Sequence, residues 1–187
     1  MATISIIACI AKSNRAIGYQ NRLLYHIKSD MTRFRELTTG HAIIMGRKTY
    51  ESLPNGALPK RRNIVVSKTL QNKLDENGFP SISLIADCEV YPSLEEAIYA
   101  AVPSQFFLEK EESWMASNEE IFVIGGERIY QEALPLANTL YLTLVDDTPS
   151  KADAFFPEID LSEWKEVEKE MRNENGIAFT FLTYIRR

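Results

Sequence analysis

At 187 residues the chain is long enough for one domain with a self-sufficient core, and its 45% hydrophobic and 25% charged content is ordinary for a soluble globular protein. A net charge of -5 lacks the basic surplus that a nucleic-acid phosphate backbone requires, although a local basic cluster can still hold a small anion. Only two cysteines occur, Cys9 and Cys88, far apart and outside any Cys-x-x-Cys pattern, which excludes a disulfide framework and a zinc site and fits a reducing compartment.

Residues 3–11, Thr-Ile-Ser-Ile-Ile-Ala-Cys-Ile-Ala, are apolar without a basic lead and too short to span a bilayer, so they read as a central strand of a cytoplasmic protein. A polar turn follows at 12–18. The stretch 18–27 shows neither period 2 nor period 3.6, and a long irregular loop of that kind is often a lid or binding loop. Ser29 is the expected N-cap of a helix, with Asp30 in its first turn, Met31, Phe34 and Leu37 as its apolar stripe and Gly40 at its end. On pattern alone, the plainer reading of Asp30 is a complement to the helix dipole; a functional carboxylate is the alternative.

Residues 41–45 predict a second buried strand, 46–49 (Gly46, Arg47, Lys48, Thr49) a basic turn, and 50–53 a short helix ending before Pro54. A third strand is expected at 63–66, with Ser67 and Lys68 at its carboxyl end, where α/β folds bind ligands. A fourth strand falls at either 82–86 or 89–91. Residues 92–101 form a helix with Ser93 as N-cap and Glu96 at the capping-box position, and 103–120 read as an acidic surface excursion.

At 121–124 a strand buried on both faces meets Gly125 and Gly126, and then Ile129, Ala133 and Leu134 recur at helical spacing. Such a turn brings bare N–H groups to a helix N-terminus and suits a phosphate, with Arg128 placed to assist; plain geometry is the alternative. Strands at 138–145, 164–171 and 177–185 follow, the last two joined through Asn173-Glu-Asn-Gly176 as a hairpin. The order implies a single α/β domain over 1–187: a mostly parallel central sheet of about eight strands, closed by a C-terminal antiparallel hairpin and flanked by about four helices. No metal-ligand spacing occurs, since His26 and His41 are isolated.

Six landmarks in this order resemble the dihydrofolate reductase family nearly end to end: Ile17-Gly18 with Asn21; Asp30 with Phe34; residues 44–52, Ile-Met-Gly-Arg-Lys-Thr-Tyr-Glu-Ser; Leu58-Pro with Arg61; 123–130, Val-Ile-Gly-Gly-x-Arg-x-Tyr; and Leu140-Tyr-Leu-Thr143. The resemblance implies reduction of 7,8-dihydrofolate to tetrahydrofolate by hydride transfer from NADPH, in support of one-carbon metabolism, by a protein expected to be a monomer with no nucleic-acid, membrane or metal partner.

It further implies that Asp30 accepts two parallel donors of the pterin, oriented by Thr143. Ile7 and Ile124 would offer backbone carbonyls. Cys9, Met31, Phe34, Leu53 and Leu58 would line the pocket, and Arg61 would pair with the substrate's α-carboxylate. On the cofactor side it implies Ile17, Gly18, Asn21 and Leu23 in a closing loop. Gly46, Arg47, Lys48, Thr49, Ser67, Lys68 and Arg128 would lie at the phosphates, with Ile124, Gly125, Gly126, Ile129 and Tyr130 beneath.

The chain departs from the family at Leu24-Tyr25, where Pro-Trp is usual, so Tyr25 is the expected hydrogen-bonding group near the carboxylate. Two other readings share these features: a riboflavin-pathway pyrimidine reductase of the same fold, and a nucleotide-binding module without catalysis.

Overall fold

The computed structural model describes residues 2–70, 88–102 and 120–187. The alternative strand at 82–86 and the excursion at 103–119 lie outside these residues. Strand β1 (Thr3–Ala11) is the spine of the molecule. Its β-branched run is buried on both faces because it lies between two parallel neighbours, β7 (Glu120–Gly125) and β8 (Thr139–Val145). Strands β4 (Ala42–Gly46), β5 (Arg62–Val66) and β6 (Glu89–Tyr91) continue the sheet in parallel beyond β7. On the other side β11 (Ile177–Arg186) runs antiparallel to β8, and β10 (Trp164–Glu174) closes the edge. The eight-stranded order is β10-β11-β8-β1-β7-β4-β5-β6.

Alternate residues of β1 serve opposite layers, as the period of a strand dictates. Ile6, Ala8 and Ile10 join a core with α3 (Leu94–Ala101) and α4 (Glu127–Ala133). Ile7 faces the other way, into a cluster with Ile43, Met45, Val65 and Phe122 that Phe34 and Leu37 of α1 (Lys28–Thr38) cover. With α2 (Arg47–Glu51), four helices flank the sheet among the described residues.

Four local expectations change. The first part of the stretch 18–27 is ordered by a small hairpin, β2 (Ala16–Tyr19) with β3 (Arg22–Leu23), and β2 also pairs with β9 (Ala154–Phe155), while 24–27 stay irregular. Gln20 and Asn21 turn it with φ of 49° and 59°, and strands of four and two residues are too short to show a period. Helix α1 begins at Lys28 rather than after Ser29, because the Glu174 carboxylate accepts from the N–H groups of Lys28 (2.7 Å) and Ser29 (3.1 Å). Helix α2 starts at Arg47, directly after the extended Gly46, so the basic residues lie in the helix and not in a preceding turn. Strand β10 runs on to Glu174, leaving only Asn175 and Gly176, with φ of 53° and 83°, for the turn.

Other expectations hold. Ser93 Oγ accepts from the Glu96 N–H at 3.2 Å, and Gly40 follows α1 with φ 86°. Of the two sites for a fourth strand, 89–91 is one.

Candidate active site

The candidate site has two halves, and each draws on the carboxyl end of a parallel strand. In the first, β4 ends at Gly46 and β7 ends at Gly125-Gly126, and each runs straight into a helix. The two turns touch. A Cβ on Gly46 would stand 3.2 Å from Ile129 Cγ1 and 3.8 Å from the Gly126 nitrogen, and one on Gly126 would stand 3.1 Å from Thr49 Oγ1. Gly125 has φ 121°, and a Cβ there would meet the Tyr130 ring at 3.2 Å. The Gly125–Gly126 peptide is cis. Only glycine lets two helix starts approach this closely, and the result is a shelf of backbone N–H groups with two helix dipoles behind it.

Around that shelf, Ile129 and Tyr130 are buried supports, and the Tyr130 hydroxyl donates to the Ile7 carbonyl at 2.9 Å. Arg47 and Arg128 each reach a glutamate one turn on, Glu51 and Glu132, both at 2.7 Å, while Lys48 and Lys68 are exposed. Ser67 is buried, its Oγ 3.3 Å from the amides of Thr69 and Leu70, so that hydroxyl serves its own turn. Ile17, Gly18, Asn21 and Leu23 all belong to the β2–β3 hairpin, with Ile17 packed on the core and Leu23 exposed. That hairpin is tied down by the Gln20 N–H on Asp153 Oδ2 at 2.9 Å and the Asp153 N–H on the Gly18 carbonyl at 3.1 Å.

In the second half, Thr143 of β8 is buried and donates from Oγ1 to Asp30 Oδ1 at 2.5 Å. Burial raises the Asp30 pKa, while the Thr143 hydrogen bond and the Arg33 charge pull it down. Ile7, Ile124, Phe34, Leu53 and Leu58 pack in one apolar cluster, with the exposed Met31 beside Asp30 on α1. Cys9 is half-buried, and burial followed by the Asp30 charge pushes its thiol far up, so it stays neutral. Arg61 lies over the Phe34 ring at 5.8 Å and reaches Thr39 Oγ1 at 3.2 Å, but its buried Nε has no partner. Burial and then the neighbouring Arg35 lower its pKa, the mark of a cation placed where an anion would be welcome.

Tyr25 is the residue expected near the carboxylate. It packs with Ile27, Val145 and Phe179, and its hydroxyl donates to Asp147 Oδ2 at 3.1 Å. Two residues that sequence reasoning passed over also bear on the site, Arg33 beside Asp30 and Glu174 at the head of α1. Glu174 has no local sequence signal, since the amides it caps lie 145 and 146 positions away; Arg33 stands three residues from Asp30, but the Thr183 hydroxyl that fixes it lies 150 positions away. Among the described residues no group of His, Cys, Asp and Glu is placed to hold a metal ion, and no helix is long and apolar enough to cross a membrane.

Fold and site together define a class: an α/β enzyme with its site at the carboxyl ends of its strands, one half a glycine shelf and the other a half-buried carboxylate. Residues 3–186 match the family model described as dihydrofolate reductase. The chain belongs to the dihydrofolate reductase family. It is 38% identical over 187 residues to a dihydrofolate reductase of Neisseria gonorrhoeae, covering 99% of each chain. It is 33% identical over 178 residues to that of Bacillus subtilis, covering 94% of this chain and 90% of the relative. It is also 33% identical over 187 residues to dihydrofolate reductase type 3 of Salmonella typhimurium, covering 98% of each. The family match does not favour a riboflavin-pathway reductase or a module without catalysis.

Proposed function

We propose that the chain reduces 7,8-dihydrofolate to 5,6,7,8-tetrahydrofolate with NADPH, acting as a cytoplasmic monomer. The observation that carries this reading is Asp30, a half-buried carboxylate in the first turn of α1, fixed by a hydrogen bond from Thr143. A carboxylate in that setting accepts two parallel N–H donors from a flat heterocycle. Its charge also favours the protonated form of a bound pterin, which is the better hydride acceptor. Thr143 keeps one oxygen in place and leaves the other to a ligand. Phe34, Leu53 and Leu58 supply the apolar walls, and the unpartnered Nε of Arg61 suits the α-carboxylate of the glutamate tail.

The shelf fits a dinucleotide, because the glycines at 46, 125 and 126 leave room where any side chain would collide, and the α2 start brings Arg47, Lys48 and Thr49 alongside. NADPH, when bound, supplies the hydride. For this chain, binding asks Arg47 and Arg128 to exchange their glutamate partners for phosphate, a small loss since exposed i,i+4 pairs contribute only about 0.3–0.5 kcal/mol. The β2–β3 hairpin would cover the nicotinamide end, and Asp147 would hold Tyr25 at the side of the pocket.

The test is the near-ultraviolet absorbance of NADPH mixed with the purified protein and dihydrofolate. Loss of absorbance that depends on dihydrofolate is expected. No such loss, with NADPH still binding, would leave only a nucleotide-binding module.

A further inference from the structure

Helix α1 carries a second charged residue on the Asp30 face. Asp30 and Arg33 are three apart, so they lie one above the other. Beneath them the β8–β11 register places Thr143 opposite Phe181 and Tyr141 opposite Thr183. Asp30 takes the Thr143 corner of this patch, and Arg33 takes the remaining three. Its guanidinium lies 4.7 Å over the Phe181 ring and 5.6 Å over the Tyr141 ring, with Nη2 donating to Thr183 Oγ1 at 3.1 Å. Thr183 Oγ1 donates onward to Glu168 Oε2 at 2.8 Å, which itself stands 3.8 Å from Arg33. The Arg33 side chain is only 16% exposed, against 60% for Glu168. A cation so fixed and so dry acts on a neighbouring carboxylate through a low effective dielectric.

We propose that Arg33 is a positioning residue for Asp30: held from behind by Thr183 and Glu168, it sets the carboxylate's affinity for a proton. Its consequence for turnover rests on the reading of Asp30 given above. The other groups facing the pair do not provide this charge. Cys9 on β1 and Tyr130 on α4 are held neutral by burial, as is Tyr141 on β8. Glu170 on β10 is taken by Arg172 at 2.8 Å, and Glu174 is occupied with the first amides of α1. Arg33 and Glu168 are therefore opposing terminals of one device, and removing either one shifts Asp30 in a predictable sense. Losing the cation strengthens proton binding at Asp30; losing Glu168 leaves Arg33 less compensated and weakens it.

The test follows Asp30 directly, in ligand-free protein labelled with ¹³C at the aspartate side-chain carboxyl and titrated by NMR, with Asp30→Asn assigning the signal. In Arg33→Gln the midpoint is expected to rise by about one pH unit, in Arg33→Lys to return most of the way, and in Glu168→Gln to fall. A purely structural role for Arg33 would not give shifts of opposite sign. An unmoved midpoint in Arg33→Gln, or a rise in Glu168→Gln, overturns the proposal; should Arg33→Gln not fold, the Lys and Glu168→Gln arms decide it alone. The pH limb of dihydrofolate reduction is then measured on the same variants and is expected to move with the midpoint. If the native protein reduces no dihydrofolate, the functional reading falls while the titration still judges Arg33.

Discussion

The hydroxyl of Tyr130 donates to the carbonyl oxygen of Ile7 at 2.9 Å, linking the helix behind the glycine shelf to the central strand. Tyr130 also fills the space that a side chain on Gly125 would need. One buried ring thus fixes both halves of the cleft relative to each other. Tyr130→Phe keeps the ring and removes the bond, leaving a buried carbonyl acceptor short of a partner. We expect a loss of about 1–2 kcal/mol in urea unfolding. An unchanged midpoint would mean that water satisfies Ile7.

Gly125→Ala combines a backbone φ of 121° with a Cβ 3.2 Å from the Tyr130 ring. The expected loss of stability is about 2 kcal/mol, with NADPH affinity falling alongside, both measurable by denaturation and by fluorescence titration. An alanine variant that binds NADPH like the native protein would remove the shelf from the cofactor site.

Asp30→Asn is expected to slow hydride transfer by about 10²–10⁴-fold while leaving NADPH affinity near native, as stopped-flow mixing would show. Equal loss of both would make Asp30 a structural residue. The same substitution has a second signature. Burial raises the folded-state pKa of Asp30 above its ordinary 3.8, so the folded protein holds that proton more tightly than the unfolded chain. Its contribution favours folding below pH 3.8 and is lost as pH rises through the folded-state value. At pH 7 the ionised group therefore opposes folding, and Asp30→Asn should unfold later than the native protein at pH 7 but not at pH 3.5.

Arg61→Leu should weaken dihydrofolate by roughly tenfold to a hundredfold, the value of about 1.5–3 kcal/mol for a bond to a charged group. A pteridine without the glutamate should be nearly unaffected. Equal weakening of both, measured by equilibrium titration, would place Arg61 in the packing of Phe34 rather than at an anion.

What the sequence revealed was what neighbours in the chain decide. The apolar run of β1 and the Ser93–Glu96 cap of α3 are local arrangements, and they appear where pattern places them. The start of α1 is not local, because its cap is Glu174, 146 positions from Lys28. The hairpin at 16–23 has strands too short for a period and is held by β9 from the far end of the chain. In the site, the two glycine turns were visible singly, but nothing in the sequence shows that they touch. Asp30 could not be told from a helix-end charge by spacing; its distinction is Thr143, 113 positions away, and its resemblance to a family residue. Arg33 looked like one more surface cation until β11 was folded over it.

The cap from Glu174 has a consequence for the order of assembly. Strand β1 precedes both of its sheet neighbours and stays unpaired in the main sheet until β7 and β8, from residue 120 on, exist. The head of α1 must wait longer still, for a carboxylate 146 positions further along the chain. The first turn of α1, which carries Asp30, is therefore made well before the group that caps it. A ribosome-held chain released only as far as β8 would hold Thr143 for Asp30 but leave the head of α1 uncapped, so that helix end should settle only when the β10–β11 hairpin closes.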